Sequence, residues 1–194
     1  NYDCIVPVSG GKDGSYVSYK LREHGLNVLT VTSRPPLETS IGNKNLLNFV
    51  SKGFDHVHIT ANNKAMQRLN KLGFIMKGSP YYGWLVSVFS SVIRTAITNK
   101  INLVFYSEHG EIEYGGSAKF KNTPLFDLKQ IIDTYFEGGY YEILKKSKLS
   151  KKELYWFELN EDEIKKNKIS LTHWSYFEPW DSYRNYLTVK KNLI

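Results

Sequence analysis

Apolar residues along the chain follow two alternating rhythms. Short β-rich runs at Cys4–Val8, Leu26–Thr32, Asp55–Thr60 and Ile101–Tyr106 read as buried strands. Between them lie segments with helical spacing. Asp13–His24 stops at Gly25. Ile41–Ser51 places Leu46, Leu47 and Val50 on one face and stops at Gly53. Asn62–Gly73 carries Met66, Leu69 and Leu72, and a longer helix opens at Pro80 and runs to about Thr98. Strand followed by amphipathic helix, repeated, predicts an α/β fold with a doubly wound, mainly parallel sheet and right-handed crossovers. Ligands of such sheets bind beyond the carboxyl ends of the strands. The turns Ser9–Ser15, Thr32–Pro36 and Ser107–Gly116 are therefore expected to converge on one site.

Beyond Gly116 the rhythm weakens into an irregular, helical C-terminal extension. Pro124–Phe136 and Tyr140–Lys146 read as helix broken at Gly138-Gly139. Leu154–Leu159 fits either a strand or a buried helical turn. The stretch His173–Tyr186 is dense in aromatic residues. Packing of a C-terminal strand and stacking on a ligand are both open for it, with Glu178 and Asp181 as the polar positions expected to turn inward.

Composition narrows the classes. With 194 residues, 41% hydrophobic and 23% charged, the chain suits one packed domain rather than disorder. Its single cysteine, Cys4, excludes an internal disulfide and a cysteine-built zinc site, and its place inside the first strand reads as a buried structural thiol. No apolar run is long enough to span a bilayer and no signal peptide is evident, so a soluble, cytoplasmic protein is the expectation. The net charge is +7, but lysines dominate the basic residues and acidic residues interrupt them. That pattern suits a solvated surface better than a phosphate-tracking groove, so nucleic acid is not favoured as partner. The chain opens almost directly on a strand and ends on Leu193-Ile194, which reads as a piece of a longer protein.

The strongest chemical signal is Ser9-Gly10-Gly11-Lys12-Asp13-Gly14-Ser15, after a predicted strand and opening a helix. Glycines let the backbone approach a ligand. The helix start contributes free N–H groups and its positive end, and Ser9, Ser15 and Lys12 add donors. The spacing is neither that of a Walker A loop nor that of a dinucleotide fingerprint.

This segment resembles the PP-loop of the adenine nucleotide α-hydrolase superfamily, the N-type ATP pyrophosphatases, whose pattern is Ser-Gly-Gly-x-Asp-Ser-Ser/Thr. Ser9, Gly10, Gly11, Asp13 and Ser15 match, whereas Gly14 departs, because the family usually has Ser there. Within the superfamily the chain is similar to the N-acetyl sugar amidotransferases (WbpG-like and PseA-like) of lipopolysaccharide O-antigen and flagellin-glycan biosynthesis. That likeness rests on the opening strand and loop, Leu29–Thr32, Tyr106–Glu111 with Glu113–Gly116, and Thr172–Asp181.

The resemblance implies a Rossmann-like fold, with residues 1–118 as an ATP-binding core and 119–194 as an extension completing the same domain and contributing to the substrate site. It implies ATP and Mg²⁺ as cofactors, with AMP and pyrophosphate as products. An amide oxygen of the sugar would attack the α-phosphorus, and ammonia would then displace AMP to leave an acetamidino group. Candidate catalytic residues are Asp13, Lys12, Glu108 and Glu111, with His109 and Glu113 as neighbours in the same turn. Nucleotide-binding candidates are Ser9, Gly10, Gly11, Lys12, Asp13, Gly14, Ser15, Thr32, Ser33 and Arg34, and Asp13 is the metal-binding candidate. Lys77-Gly78-Ser79 and Arg94 are secondary anion-binding candidates, each balanced by a plain structural role.

The implied partners are a nucleotide- or carrier-linked N-acetyl sugar and a separate glutaminase subunit supplying ammonia. A homodimer is one assembly these features allow. Two other readings remain open, a PP-loop enzyme of tRNA modification and a non-catalytic ATP-binding module.

Overall fold

The computed structural model describes residues 1–108 and 123–193. Six strands form one sheet in the order β3-β2-β1-β4-β6-β5. They are β1 (Cys4–Pro7), β2 (Val28–Ser33), β3 (Asp55–Ile59), β4 (Leu103–Tyr106), β5 (Leu125–Phe126) and β6 (Ser170–His173). All neighbours are parallel except β5, which runs antiparallel to β6. The fold is thus α/β, Rossmann-like and doubly wound. The chain moves outward from β1 to β3 and then returns to the other side of β1 as β4. This reversal opens a crevice beyond the carboxyl ends of β1 and β4.

Alternation along the strands builds two cores. Ile5, Leu29, Val31, Val104 and Tyr106 face one side, and Cys4, Val6, Val28 and Phe105 face the other. Helices α1 (Lys12–Glu23) and α2 (Ser40–Ser51) cover the second side. Helices α3 (Asn63–Lys77) and α4 (Tyr82–Thr98) belong to the first, with no strand between them. Cys4 is fully buried, and burial aided by the Asp3 charge pushes its thiol up to about 12, an inert structural group.

Three expectations need correction. Helix α3 does not stop at Gly73 but runs to Lys77, where Gly78 takes the left-handed cap at φ 71°. Gly73 is there for close approach to Tyr82. Lys77-Gly78-Ser79 is therefore a helix end, and the start of α4 is served instead by Asn70 Oδ1, which accepts from Gly83 N at 2.8 Å and Trp84 N at 3.3 Å. On α2 the inward residues are Leu46 and Phe49, while Leu47 is exposed.

The later chain is divided into more and shorter elements than its periodicity predicts. Leu125–Phe126 is a strand, followed by the short turn α5 (Leu128–Gln130) and a π-helical turn Ile131–Tyr135. Helix α6 (Tyr140–Ser147) follows, then turns rather than a strand over 154–157, then α7 (Glu161–Lys166). Strand β6 inserts beside β4, so the extension supplies an interior strand of the sheet. After it come a 3₁₀ turn at Trp174–Tyr176 and α8 (Ser182–Asn192), which packs on α1.

Candidate functional site

The Ser9–Ser15 segment joins β1 to α1 at the crevice. Gly10 has φ 78°, the left-handed region, and a Cβ there would lie 2.7 Å from Leu46 N and 2.9 Å from Gly42 O of α2. Gly10 is thus required by the packing of the loop on α2. Gly11 differs. It is exposed, has an extended backbone at φ −76° and ψ 166°, and a Cβ would meet only Ser9 Oγ at 3.4 Å. Gly11 is the N-cap of α1, and among the described residues no side-chain cap bond closes this helix start. The first N–H groups of the helix have no partner within the helix, so they stand open beside exposed Ser9.

Lys12 and Asp13 are half-buried and form an ion pair at 2.7 Å. Asp13 Oδ1 also accepts from Asn185 Nδ2 at 3.2 Å, and Asn185, on α8, is fully buried. The C-terminal helix therefore orients the carboxylate at the loop. Ser15 turns its hydroxyl back along the helix to donate to Gly11 O at 2.8 Å, so it braces the loop from within.

Gly14 is explained by packing. A Cβ there would stand 2.8 Å from the Pro7 carbonyl oxygen and 3.1 Å from Val8 Cα. Both are backbone atoms of the β1 end and cannot swing aside. Gly14→Ser is expected to lower stability by about 1–3 kcal/mol through overpacking, although a helical glycine normally costs stability relative to a side-chain-bearing residue. Urea denaturation of the two proteins checks this, and an unchanged midpoint would contradict it.

The β2 end contributes Thr32, Ser33 and Arg34. Thr32 Oγ1 donates to Val8 O at 2.5 Å and stitches the ends of β1 and β2 together. Ser33 is buried, with its hydroxyl 2.8 Å from Ser87 Oγ and its carbonyl accepting from Trp84 Nε1 at 3.3 Å. Arg34 is exposed and held by Glu38 through Nε at 3.0 Å and an η nitrogen at 2.7 Å. It borders a cavity of about 370 Å³ at the ends of β2 and β3, lined also by Pro35, Thr60 and Met66.

A second cavity, of about 160 Å³, lies at the switch point under α4. Ser9 and Gly14 of the loop, Ser33, and Ser107 and Glu108 of the β4 end all border it. The three turns therefore converge as expected, as far as they are described. Glu111, His109 and Glu113 lie outside the described residues. Arg94 is not near this edge. It sits along α4, where it donates to Glu158 O at 3.1 Å and covers the Tyr155 ring at 4.4 Å.

The C-terminal aromatic stretch resolves into packing. Trp174 is buried against Phe105 and Phe177, and its indole N–H donates to Glu178 Oε2 at 2.9 Å. Tyr16 donates to the same oxygen at 2.8 Å. Burial works to raise the Glu178 pKa, but these two donors together with Arg184 and Lys20 outweigh it and hold the pKa below the usual range. Glu178 thus turns inward as expected. Asp181 does not: it is exposed and caps α8, accepting from Tyr183 N and Arg184 N at 2.9 Å each.

No protein family matches the chain, and no curated protein does either. The chain is similar to a predicted subunit of tRNA methyltransferase from Methanocaldococcus jannaschii, with 15% identity and a TM-score of 0.44, over 77% of this chain and 66% of that one. The chain thus spans a little under two thirds of that protein's length.

Three features near the site leave no signal in the sequence. Asn185 holds Asp13 from a distant helix, Tyr135 borders the inner cavity with Tyr106, and His173 lies beside both. His173 opens the aromatic stretch, but only the parallel pairing of β6 with β4 brings it beside Tyr106.

Proposed function

We propose that the chain is the ATP-binding and catalytic part of an N-acetyl sugar amidotransferase of the PP-loop type. The observation that carries this reading is the uncapped start of α1 behind exposed Gly11, with the Lys12–Asp13 pair beside it. Backbone N–H groups and a helix's positive end suit a polyphosphate. The order across the sheet edge suits the rest of the reaction. The larger cavity at the β2 and β3 ends lies where the nucleoside would sit, the α1 start takes the phosphates, and the inner cavity beyond β1 and β4 takes the acceptor.

Among the described residues, no three His, Cys, Asp or Glu side chains cluster as a metal cage. Asp13, beside the start of α1, is the carboxylate that would hold a Mg²⁺ ion arriving with the phosphates. When bound, the ion would neutralise charge building on departing pyrophosphate. Lys12 both pairs with Asp13 and offers a cation to the same oxygens. The amide oxygen of the acceptor bonds to the α-phosphorus as the bond to pyrophosphate breaks. Ammonia then adds to the activated carbon and AMP departs with the former amide oxygen. Water at that carbon would only regenerate the amide, so an inner cavity with apolar walls serves the chemistry.

The direct test is incubation of the protein with ATP, Mg²⁺, ammonium and nucleotide-linked diacetamido sugars, read by mass. An acetamido oxygen replaced by NH lowers product mass by about one unit, with AMP and pyrophosphate formed in equal amounts. Formation of ADP, or tight and salt-sensitive retention of tRNA, would count against the reading. Asp13→Ala is expected to cut turnover about 100-fold or more while nucleotide affinity changes about threefold at most. Single-turnover kinetics alongside binding titration separates the two effects, and undiminished turnover would remove Asp13 from the chemistry.

A further inference from the structure

Tyr106 ends β4 and His173 ends β6, and the two are register partners across the parallel pair. Residues in register project to the same face of a sheet, and here their ring centroids are 6.1 Å apart. Tyr135, from the π-helical turn, completes the cluster with its hydroxyl 2.6 Å from His173 Nε2. Surrounding rings fix all three. Phe126 stacks on His173 at 4.9 Å, and Phe89 stacks on Tyr106 at 4.8 Å and tilts against Tyr135 at 4.9 Å.

Packing alone does not account for two features. Tyr106 is only 2% exposed, yet its hydroxyl has no hydrogen-bond partner among the described residues. A buried hydroxyl without a partner is costly, so one kept at a cavity points to a ligand that pairs with it. Both phenols border the inner cavity of about 160 Å³.

We propose that this cavity is a subsite for a carboxamide group, with the Tyr106 hydroxyl donating to its carbonyl oxygen. Tyr135, hydrogen-bonded to His173 Nε2, borders the same cavity. Glu108 also borders the cavity. Burial, with the charge of Glu108 and the neighbouring Tyr135, holds the Tyr106 phenol well above its ordinary pKa, so it remains a donor throughout the neutral range. Val31, Val88, Phe89 and Val92 supply walls suited to the methyl of an acetamide. The choice of a sugar's acetamido group as the bearer of the amide rests on the function proposed above.

Saturation-transfer NMR with N-acetylglucosamine tests the subsite. The acetyl methyl should receive more saturation than the ring protons. Tyr106→Phe should weaken binding roughly tenfold, the worth of one buried hydrogen bond. Its melting temperature should stay equal or rise, because the lost hydroxyl has no partner in the fold. Ring protons saturating more than the methyl, or unchanged binding by Tyr106→Phe, would overturn the proposal. So would adenosine displacing the acetyl signal, which would make the cavity a purine pocket.

Titration with a non-hydrolysable ATP analogue runs in parallel. Wild-type protein that binds the analogue but gives no acetyl signal overturns the amide subsite alone. Wild-type protein that gives the acetyl signal but ignores the analogue supports the subsite and overturns the adenylylation reading.

Discussion

Gly11→Val should abolish nucleotide binding and leave the fold intact. The backbone at Gly11 is extended, the region a β-branched residue prefers, and only Ser9 Oγ stands near its missing Cβ. The residue is exposed, so no core is disturbed. Valine is a poorer N-cap than glycine, which costs about 1 kcal/mol at most. Its two methyl groups would occupy the space over the open N–H groups of α1, where phosphate oxygens must approach within hydrogen-bond distance. An affinity loss of about 100-fold or more is expected, equivalent to at least about 2.7 kcal/mol. Calorimetric titration with an ATP analogue, beside a denaturation curve, separates binding from folding. Gly10→Ala is the control. It places a Cβ against the α2 backbone at a left-handed φ and should harm the fold itself.

Gly73→Ala should be among the most damaging single-methyl changes in the molecule. Its Cβ would lie 2.0 Å from Tyr82 Cβ and 2.6 Å from Tyr82 Cγ, and Tyr82 is 1% exposed at the centre of the larger core. Across the same contact, a Cβ on Gly83 would stand 2.8 Å from Met66 O. The two glycines let α3 and α4 approach closely, and Asn70 bridges them at the α4 start. In an open helix Gly→Ala gains about 0.5–1 kcal/mol. Here the clash reverses the sign, with an expected loss of about 3 kcal/mol or more. Thermal melting of the variant measures it, and a raised melting temperature would mean that the helices are not packed this way.

The same glycine shows where reading the chain ends. A glycine after a helical pattern looks like a stop whether it caps the helix or admits a neighbour. Only the position of Tyr82 distinguishes the two, and Tyr82 belongs to the next helix. The four parallel strands β1 to β4 and the helices among them were legible because each carries its own period. The second half was not, because β5 has only two residues and β6 reads Ser-Leu-Thr-His, with no apolar run like those of β1 and β4. Both depend on pairing with β4 or with each other.

The site divides along the same line. The Ser9–Ser15 loop announces itself through local composition. The Asn185 bond to Asp13 spans 172 positions and the Tyr135–His173 contact spans 38, so neither leaves a spacing to read. From sequence, Trp174 suits either packing or stacking on a ligand, and Glu178 is expected to turn inward. Their bonds to each other and to Tyr16 place them instead in the joint between the C-terminal segment and α1.

The decisive experiment is a crystal structure of the protein with Mg²⁺ and a non-hydrolysable ATP analogue. Phosphate oxygens are expected within about 3 Å of backbone N–H groups at the Gly11–Gly14 turn, with Asp13 turned toward the ion. A nucleotide bound elsewhere with that turn empty, or the turn filled by the protein's own side chains, would contradict it.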